Sequence, residues 1–306
     1  GSEWNGLTQE YSAIVGSNFQ EGRGNITAYG TYRKVNAISQ SDYDYSACAL
    51  APEGPDGADF SCGGSSYNNP SNFANTAFLP NVPSGFRTED GQFLEGREFF
   101  NYAPFNYYQR PDERYTLGAM GHYELNEHVI PYFELSYVDD RSVAQIAPGT
   151  VSGGISGQSG NLNCDNAFLS AQQGEFLCGA AGLSTASIYD AAGNYVGPED
   201  IATGISLQRR FVEGGPRQDN LHLGTFRVVG GVRGDIDSVL SYDVFASYAN
   251  VNYDSRFVGN VSFSKLGNAL NAVVDRRPGS ATNGQIVCAI NADASSANDA
   301  TNCAPL

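Results

Sequence analysis

Three stretches of the chain alternate apolar and polar residues at every second position, the period of a strand whose two faces meet different surroundings. The clearest places Tyr115, Leu117, Ala119, Gly121 and Tyr123 on one face, with Thr116, Gly118, Met120, His122 and Glu124 on the other. A tight turn at Leu125 to His128 leads into a return strand with Val129, Phe133, Leu135 and Tyr137 against Tyr132, Glu134 and Ser136. A second copy sets Phe226, Val228, Gly230 and Val232 against Thr225, Arg227, Val229 and Arg233, and turns at Gly234 to Ser238. It returns with Leu240, Tyr242, Val244, Ala246 and Tyr248 opposite Ser241, Asp243, Phe245 and Ser247. A weaker copy near the start has Tyr11, Ala13 and Val15, a turn around Asn18 to Gly24, then Ile26, Ala28, Gly30 and Tyr32 opposite Asn25, Thr27, Tyr29 and Arg33. The pattern predicts six antiparallel strands in three hairpins.

Between the hairpins lie long segments near Cys48 to Asp112, Ala147 to Gln218 and Phe257 to Leu306. Short turns therefore fall at one end of every hairpin and long loops at the other. A soluble sandwich gives loop lengths no reason to segregate in this way. An outer-membrane barrel does, with short periplasmic turns, long extracellular loops, apolar-out and polar-in strands, and aromatic girdles at both interfaces. Tyr115, Tyr123, Tyr137, Tyr242 and Tyr248 are placed for such girdles, the competing role being that of ordinary cross-strand fillers in a soluble sheet. In the third loop, Phe263, Leu266, Leu270, Val273 and Val274 space as a short amphipathic helix over Phe263 to Val274.

The six cysteines fall as Cys48 and Cys62, Cys164 and Cys178, Cys288 and Cys303, each pair bracketing a short polar segment and recurring about every 120 residues. Fifteen connectivities are formally possible. Local pairing is predicted, because cross-loop bonds need residues over a hundred positions apart to converge three times. Closing each loop stabilises it by roughly 3 kcal/mol on the chain-entropy model and fits an oxidising compartment. A zinc site fits less well, since the pairs lack the two-to-four residue gap of zinc knuckles and no histidine flanks them.

Composition sharpens this picture at a few points. Gly 36 and Tyr 18 against Met 1 suit turns and pleated surfaces better than helix interiors. A formal net charge of -16 argues against nucleic acid as a partner. No run approaches the roughly 20 apolar residues of a spanning helix, so any crossing of a membrane must be by a closed barrel. A mean hydropathy of -0.31 is compatible with that, since only every second strand residue of a barrel faces lipid. Gly1 to Gly6 is polar and does not read as a signal peptide.

Candidate chemistry is sparse. Phe99, Phe100, Tyr102, Phe105, Tyr107 and Tyr108 with Arg110 form a dense aromatic run at the root of the first long loop. Such rings can stack on a sugar or flat chelator while hydroxyls supply directional bonds. They can equally pack the loop onto a barrel rim, which is the favoured of the two roles. Asp42, Asp44, Asp56 and Asp59 offer oxygen ligands for calcium, although acidic loop tips are usually just solvated. Glu124, Glu134 and Asp243 are predicted to share a lumenal face with Arg227 and Arg233, in contact with a plug or along a ligand path. His122, His128 and His222 are scattered, and Val229 to Gly234 resembles a dinucleotide loop only faintly, inside a strand. No catalytic, metal or cofactor site is predicted, and no enzyme activity.

Several phrases also resemble a known family. Asn101-Tyr102-Ala103-Pro104-Phe105-Asn106-Tyr107-Tyr108-Gln109-Arg110-Pro111-Asp112-Glu113-Arg114-Tyr115, Asp139 to Ile146, Gly284 to Cys288 and Cys303 to Leu306 are similar, in order, to TonB-dependent receptors of the sphingomonad and caulobacter type. The resemblance implies a plug followed by a barrel of about 22 strands. It further implies a Gram-negative outer membrane with extracellular loops, and energy passed by TonB through the plug. The implied cargo is a scarce nutrient such as a siderophore, cobalamin or a glycan, which the scaffold alone does not name. Residues 1–306 would then be part of the barrel domain, with the TonB box, plug and final strand outside it. Six strands cannot close a barrel, the smallest having eight, so neighbouring strands and a plug are expected partners besides lipid. The alternative is a structural or adhesive surface β-protein, and a secreted carbohydrate enzyme lacks paired carboxylates converging on a cleft.

Overall fold

The computed structural model describes residues 6–54, 56–151 and 161–305. The opening Gly1 to Asn5, part of the second long loop and the final Leu306 lie outside the described residues. Two compact units are resolved, the first from residues 1–48, 103–147 and 216–258, the second from 49–102, 148–215 and 259–306.

The first unit is a six-stranded antiparallel meander of β1 (Thr8–Phe19), β2 (Gly24–Val35), β3 (Asp112–Tyr123), β4 (Ile130–Pro148), β5 (Pro216–Asp235) and β6 (Ser241–Val258), paired in that order. The three alternating hairpins are therefore present with the expected faces. Val15, Ala28, Ala119 and Leu135 stand in one cross-strand row. Because the meander is antiparallel, its three short turns share one end and the long connections leave from the other. The last turn lies two residues later than the pattern indicated. β5 continues to Asp235, and Asp237 Oδ1 accepts from the amides of Val239 and Leu240 to make the bend. Among the described residues no closed barrel is formed, and β1 and β6 are the edge strands of the sheet.

The second unit is built from the three long loops, and it has a hydrophobic core of its own. Thr150–Val151, Ile205–Arg210, Ser71–Asn75, Gly85–Glu89 and Gln92–Glu95 form a five-stranded sheet in that spatial order. Against it packs α1 (Ala171–Leu177), opened by a capping box in which Ser170 and Gln173 satisfy each other's backbone amides. Phe86 is fully buried, with ring centroids of Phe73 at 4.8 Å, Phe93 at 5.1 Å and Phe176 at 5.2 Å. Cys164 and Cys178 are bonded to each other inside this core, and Cys288 is bonded to Cys303 farther along the chain. Cys48 and Cys62 are also disulfide-bonded, and no described cysteine is free. The polar setting expected for the second pair is corrected here, since both its sulfurs are buried.

The amphipathic segment of the third loop is helical over α2 (Phe263–Leu270) and then extends into the strand Ala272–Val274, which pairs with Ile286–Cys288. Val273 and Val274 are β-branched and favour that strand over another helical turn. Beside it Asp275, with no exposed side-chain surface, is clasped by Arg277 Nε at 2.9 Å and by the hydroxyls of Ser280 and Thr282, each at 2.7 Å. The Arg277 guanidinium, seconded by those hydroxyls, holds the carboxyl far below the usual carboxylate range. A depressed folded-state pKa contributes stability that is present above the unfolded value, about 3.9, and is lost as pH falls through the folded one. The thermal stability of this unit should therefore fall below about pH 4 in the wild type. Arg277→Ala should cost about 3 kcal/mol at neutral pH, the low end for a buried pair because Arg277 stays partly in water. That variant should also lose much of the acid sensitivity; an identical acid limb in both proteins would remove the pair from the explanation.

Candidate functional site

The first unit's sheet has two faces of different chemistry, and neither follows from a packed interior. On one, Val15 is 69%, Leu117 56% and Val244 68% exposed, so the alternating apolar residues are covered by nothing in the described chain. This band is bounded by aromatic rows. At the end from which the long connections depart, Tyr11, Tyr32 and Tyr115 stand side by side, with centroids 6.4 and 4.9 Å apart. At the short-turn end Phe19 stacks on Tyr123 at 5.9 Å. The rows are eight residues apart on both β1 and β3, about 26 Å along a strand and about 20 Å in height at a tilt near 40°. Beyond the upper row the face turns polar. Glu113 Oε1 accepts the hydroxyls of Tyr32 at 2.9 Å and Tyr115 at 3.0 Å, and Asp139 takes Arg141 at 3.0 Å and His222 at 2.8 Å.

The opposite face carries a charge network. Arg33 meets Asp112 at 3.3 Å, Arg114 pairs with Asp140, and Arg227 reaches Glu134 at 3.2 Å. The Tyr132 hydroxyl donates to Asp243 at 2.9 Å beneath the Arg233 guanidinium. Of the expected grouping, Glu134 and Asp243 lie with Arg227 and Arg233, whereas Glu124 falls just past the end of β3, where its amide donates to the Arg23 carbonyl; Arg33, Asp112, Arg114 and Asp140 extend the network toward the long-connection end. Two glycines have a specific use here. A Cβ on Gly118 would lie 2.2 Å from the Tyr29 ring and one on Gly231 2.5 Å from Tyr132, so the rings lie flat over bare backbone. The edge strands depart from the pattern, with Ile14, Phe245 and Val251 exposed on this polar face.

The aromatic run is divided by the structure. Phe99, Phe100 and Tyr102 belong to the second unit, and Phe105, Tyr107, Tyr108 and Arg110 to the first. Phe99 is exposed, whereas the Phe100 ring lies under the Arg210 guanidinium at 4.8 Å and its backbone pairs with Ser65. The Phe105 carbonyl accepts from Gln145 Nε2 at 3.0 Å. Tyr107 and Gln109 pair with the short strand Ile38–Ser39, which is a packing role. Arg110 lines a polar hollow with Arg33, Glu10 and Asp112. Tyr108 joins other tyrosine rings, edge-on to the half-buried Tyr43 at 6.3 Å and the exposed Tyr45 at 6.1 Å, which stack on one another at 5.4 Å. Tyr43 and Tyr45 escaped the sequence reading because they lie some sixty residues away, in a stretch that reads as an acidic loop.

Asp42, one of the residues considered for calcium, caps a short turn by accepting from the Ser39 amide at 2.8 Å. Among the described residues no three or more His, Cys, Asp or Glu side chains gather as a metal site. Compared with known proteins, the chain matches no family model, no curated protein and no solved structure.

Proposed function

We propose that the six-stranded sheet is a sector of an outer-membrane barrel in a receptor of the TonB-dependent type, which takes up a scarce nutrient. The uncovered apolar face bounded by two aromatic rows carries this reading. In water such a face would be a very large exposed apolar patch for a monomer. Against lipid it is the expected surface, and its height approaches the roughly 25 Å apolar band of known barrels. The charge network then faces a watery lumen, where it can contact a plug, and the long connections are extracellular. Two open strand edges in hydrocarbon would leave backbone groups unpaired at several kcal/mol each, so further strands complete the ring.

The test is extraction of the native polypeptide from its source. It should appear in the detergent fraction of the outer membrane and migrate faster on gels before heating than after. Recovery in the aqueous fraction with no heat-dependent mobility would favour an adhesive or structural surface protein instead.

A further inference from the structure

The second unit holds a cavity of about 370 Å³ lined by residues of that unit. Its floor is the edge of the aromatic core, Phe73 and Phe93 in a T-shaped contact at 5.0 Å, with Leu207 beside them. Leu270 at the end of α2 forms one wall, and Phe168 and Phe211 stand at the rim, Phe168 being 49% exposed. The volume falls within the usual range for small-molecule sites, and few polar groups line it, as such sites require.

Those polar groups are mostly committed elsewhere. Asn166 spans the Phe168 amide and the Leu270 carbonyl, Gln173 serves the α1 capping box, and the Ser71 hydroxyl bonds the Pro70 carbonyl. Water inside would find few partners, and ordered water needs two to four. Arg209 is the only charged residue among the described lining residues, and it is only partly committed. Its guanidinium is stacked 5.2 Å over the Phe211 ring and held by the Pro70 carbonyl and Glu213, both at 2.7 Å. Those bonds use two of its five N–H donors and fix its plane. Glu213 is half in solvent, so their ion pair is weak and does not displace a second acceptor.

We infer that this cavity binds a small aromatic carboxylate, its ring seated among the phenylalanines and its acid group on Arg209 donors beyond the two already used. Its place in nutrient capture rests on the receptor reading above, but its binding does not.

The experiment titrates naphthalene-2-carboxylate, followed by its fluorescence, into the full native polypeptide held in amphipol. Saturable binding is expected. Arg209→Gln should weaken the carboxylate by about tenfold or more, the usual loss for a charged hydrogen bond, and leave neutral 2-naphthalenemethanol unchanged. Leu270→Trp, which fills the cavity, should abolish both. Should that variant fail to fold, Phe168→Ala at the exposed rim decides, with severalfold weaker binding expected. No saturable binding, or equal binding in the parent and the cavity variants, would overturn the assignment, as would an Arg209→Gln effect shared by the neutral analogue. A chain that extracts as a barrel yet binds no naphthoate sinks this inference alone. One that binds naphthoate but is recovered as a water-soluble protein sinks the receptor reading and leaves the cavity assignment standing.

Discussion

Phe86→Ala is expected to lower the stability of the second unit by about 4 kcal/mol, within the 3–5 kcal/mol usual for removing a buried phenylalanine. The ring has no exposed surface and touches Phe73, Phe93 and Phe176 from three directions. The void would be hard to close, because Phe73 and Phe93 are fixed on neighbouring strands and Phe176 on α1. Denaturant unfolding followed by near-ultraviolet circular dichroism reads this, since the buried Tyr195 and its neighbour Tyr189 give that unit an aromatic signal that is lost with its packing. A cost below about 1 kcal/mol would mean the cluster collapses around the loss and does not organise the unit.

Replacing both Cys164 and Cys178 by alanine should cost a further comparable amount, about 3–4 kcal/mol. Closing a loop of this length accounts for about 3 kcal/mol on the chain-entropy model. The rest comes from the two buried cysteines, each at 2% exposure or less, whose sulfurs leave a small cavity in the core when removed. Replacing Cys288 and Cys303 in the same way should cost less, because Cys303 is partly exposed and less packing is lost. The pair of double variants, compared by denaturant midpoint, checks the ranking; equal midpoints would reduce both bridges to loop closure alone.

The hairpins were legible in the chain because each strand is long enough to repeat its alternation four or five times, and a half-covered strand needs little else. The second unit was not, for two physical reasons. Its strands are only two to six residues long, and neighbours such as Phe73 and Leu207 come from different loops, so no local period announces them. Its buried asparagines also disguise it. Asn72 reaches the Ser66 and Glu98 carbonyls, and Asn75 those of Leu79 and Val82, so both are buried where the sequence reads as solvated loop. Amides of this kind clip irregular backbone in place and satisfy groups that would otherwise be orphaned.

The candidate site was legible to a similar degree. The apolar face and the tyrosines bounding it follow from strand parity, and so do Glu134 and Arg227, paired on the opposite face. The aromatic run was not separable into its roles, because adjacent rings in sequence say nothing about which fold unit each joins. Phe100 is spent on Arg210 and Tyr107 on a short strand pair, while Tyr108 joins Tyr43 and Tyr45 across a long sequence gap.

The lipid-facing assignment is tested most directly by moving a tryptophan between the two faces of β3. Leu117→Trp and Thr116→Trp are adjacent in sequence but stand on opposite faces of the same strand. Each native polypeptide would be reconstituted in bilayers containing phospholipids brominated along the acyl chain, and its emission compared with that of the parent in the same bilayers. The added emission at position 117 should be strongly quenched and blue-shifted, and that at position 116 should be neither. Equal quenching at the two positions, or none at 117, would contradict a membrane-embedded face.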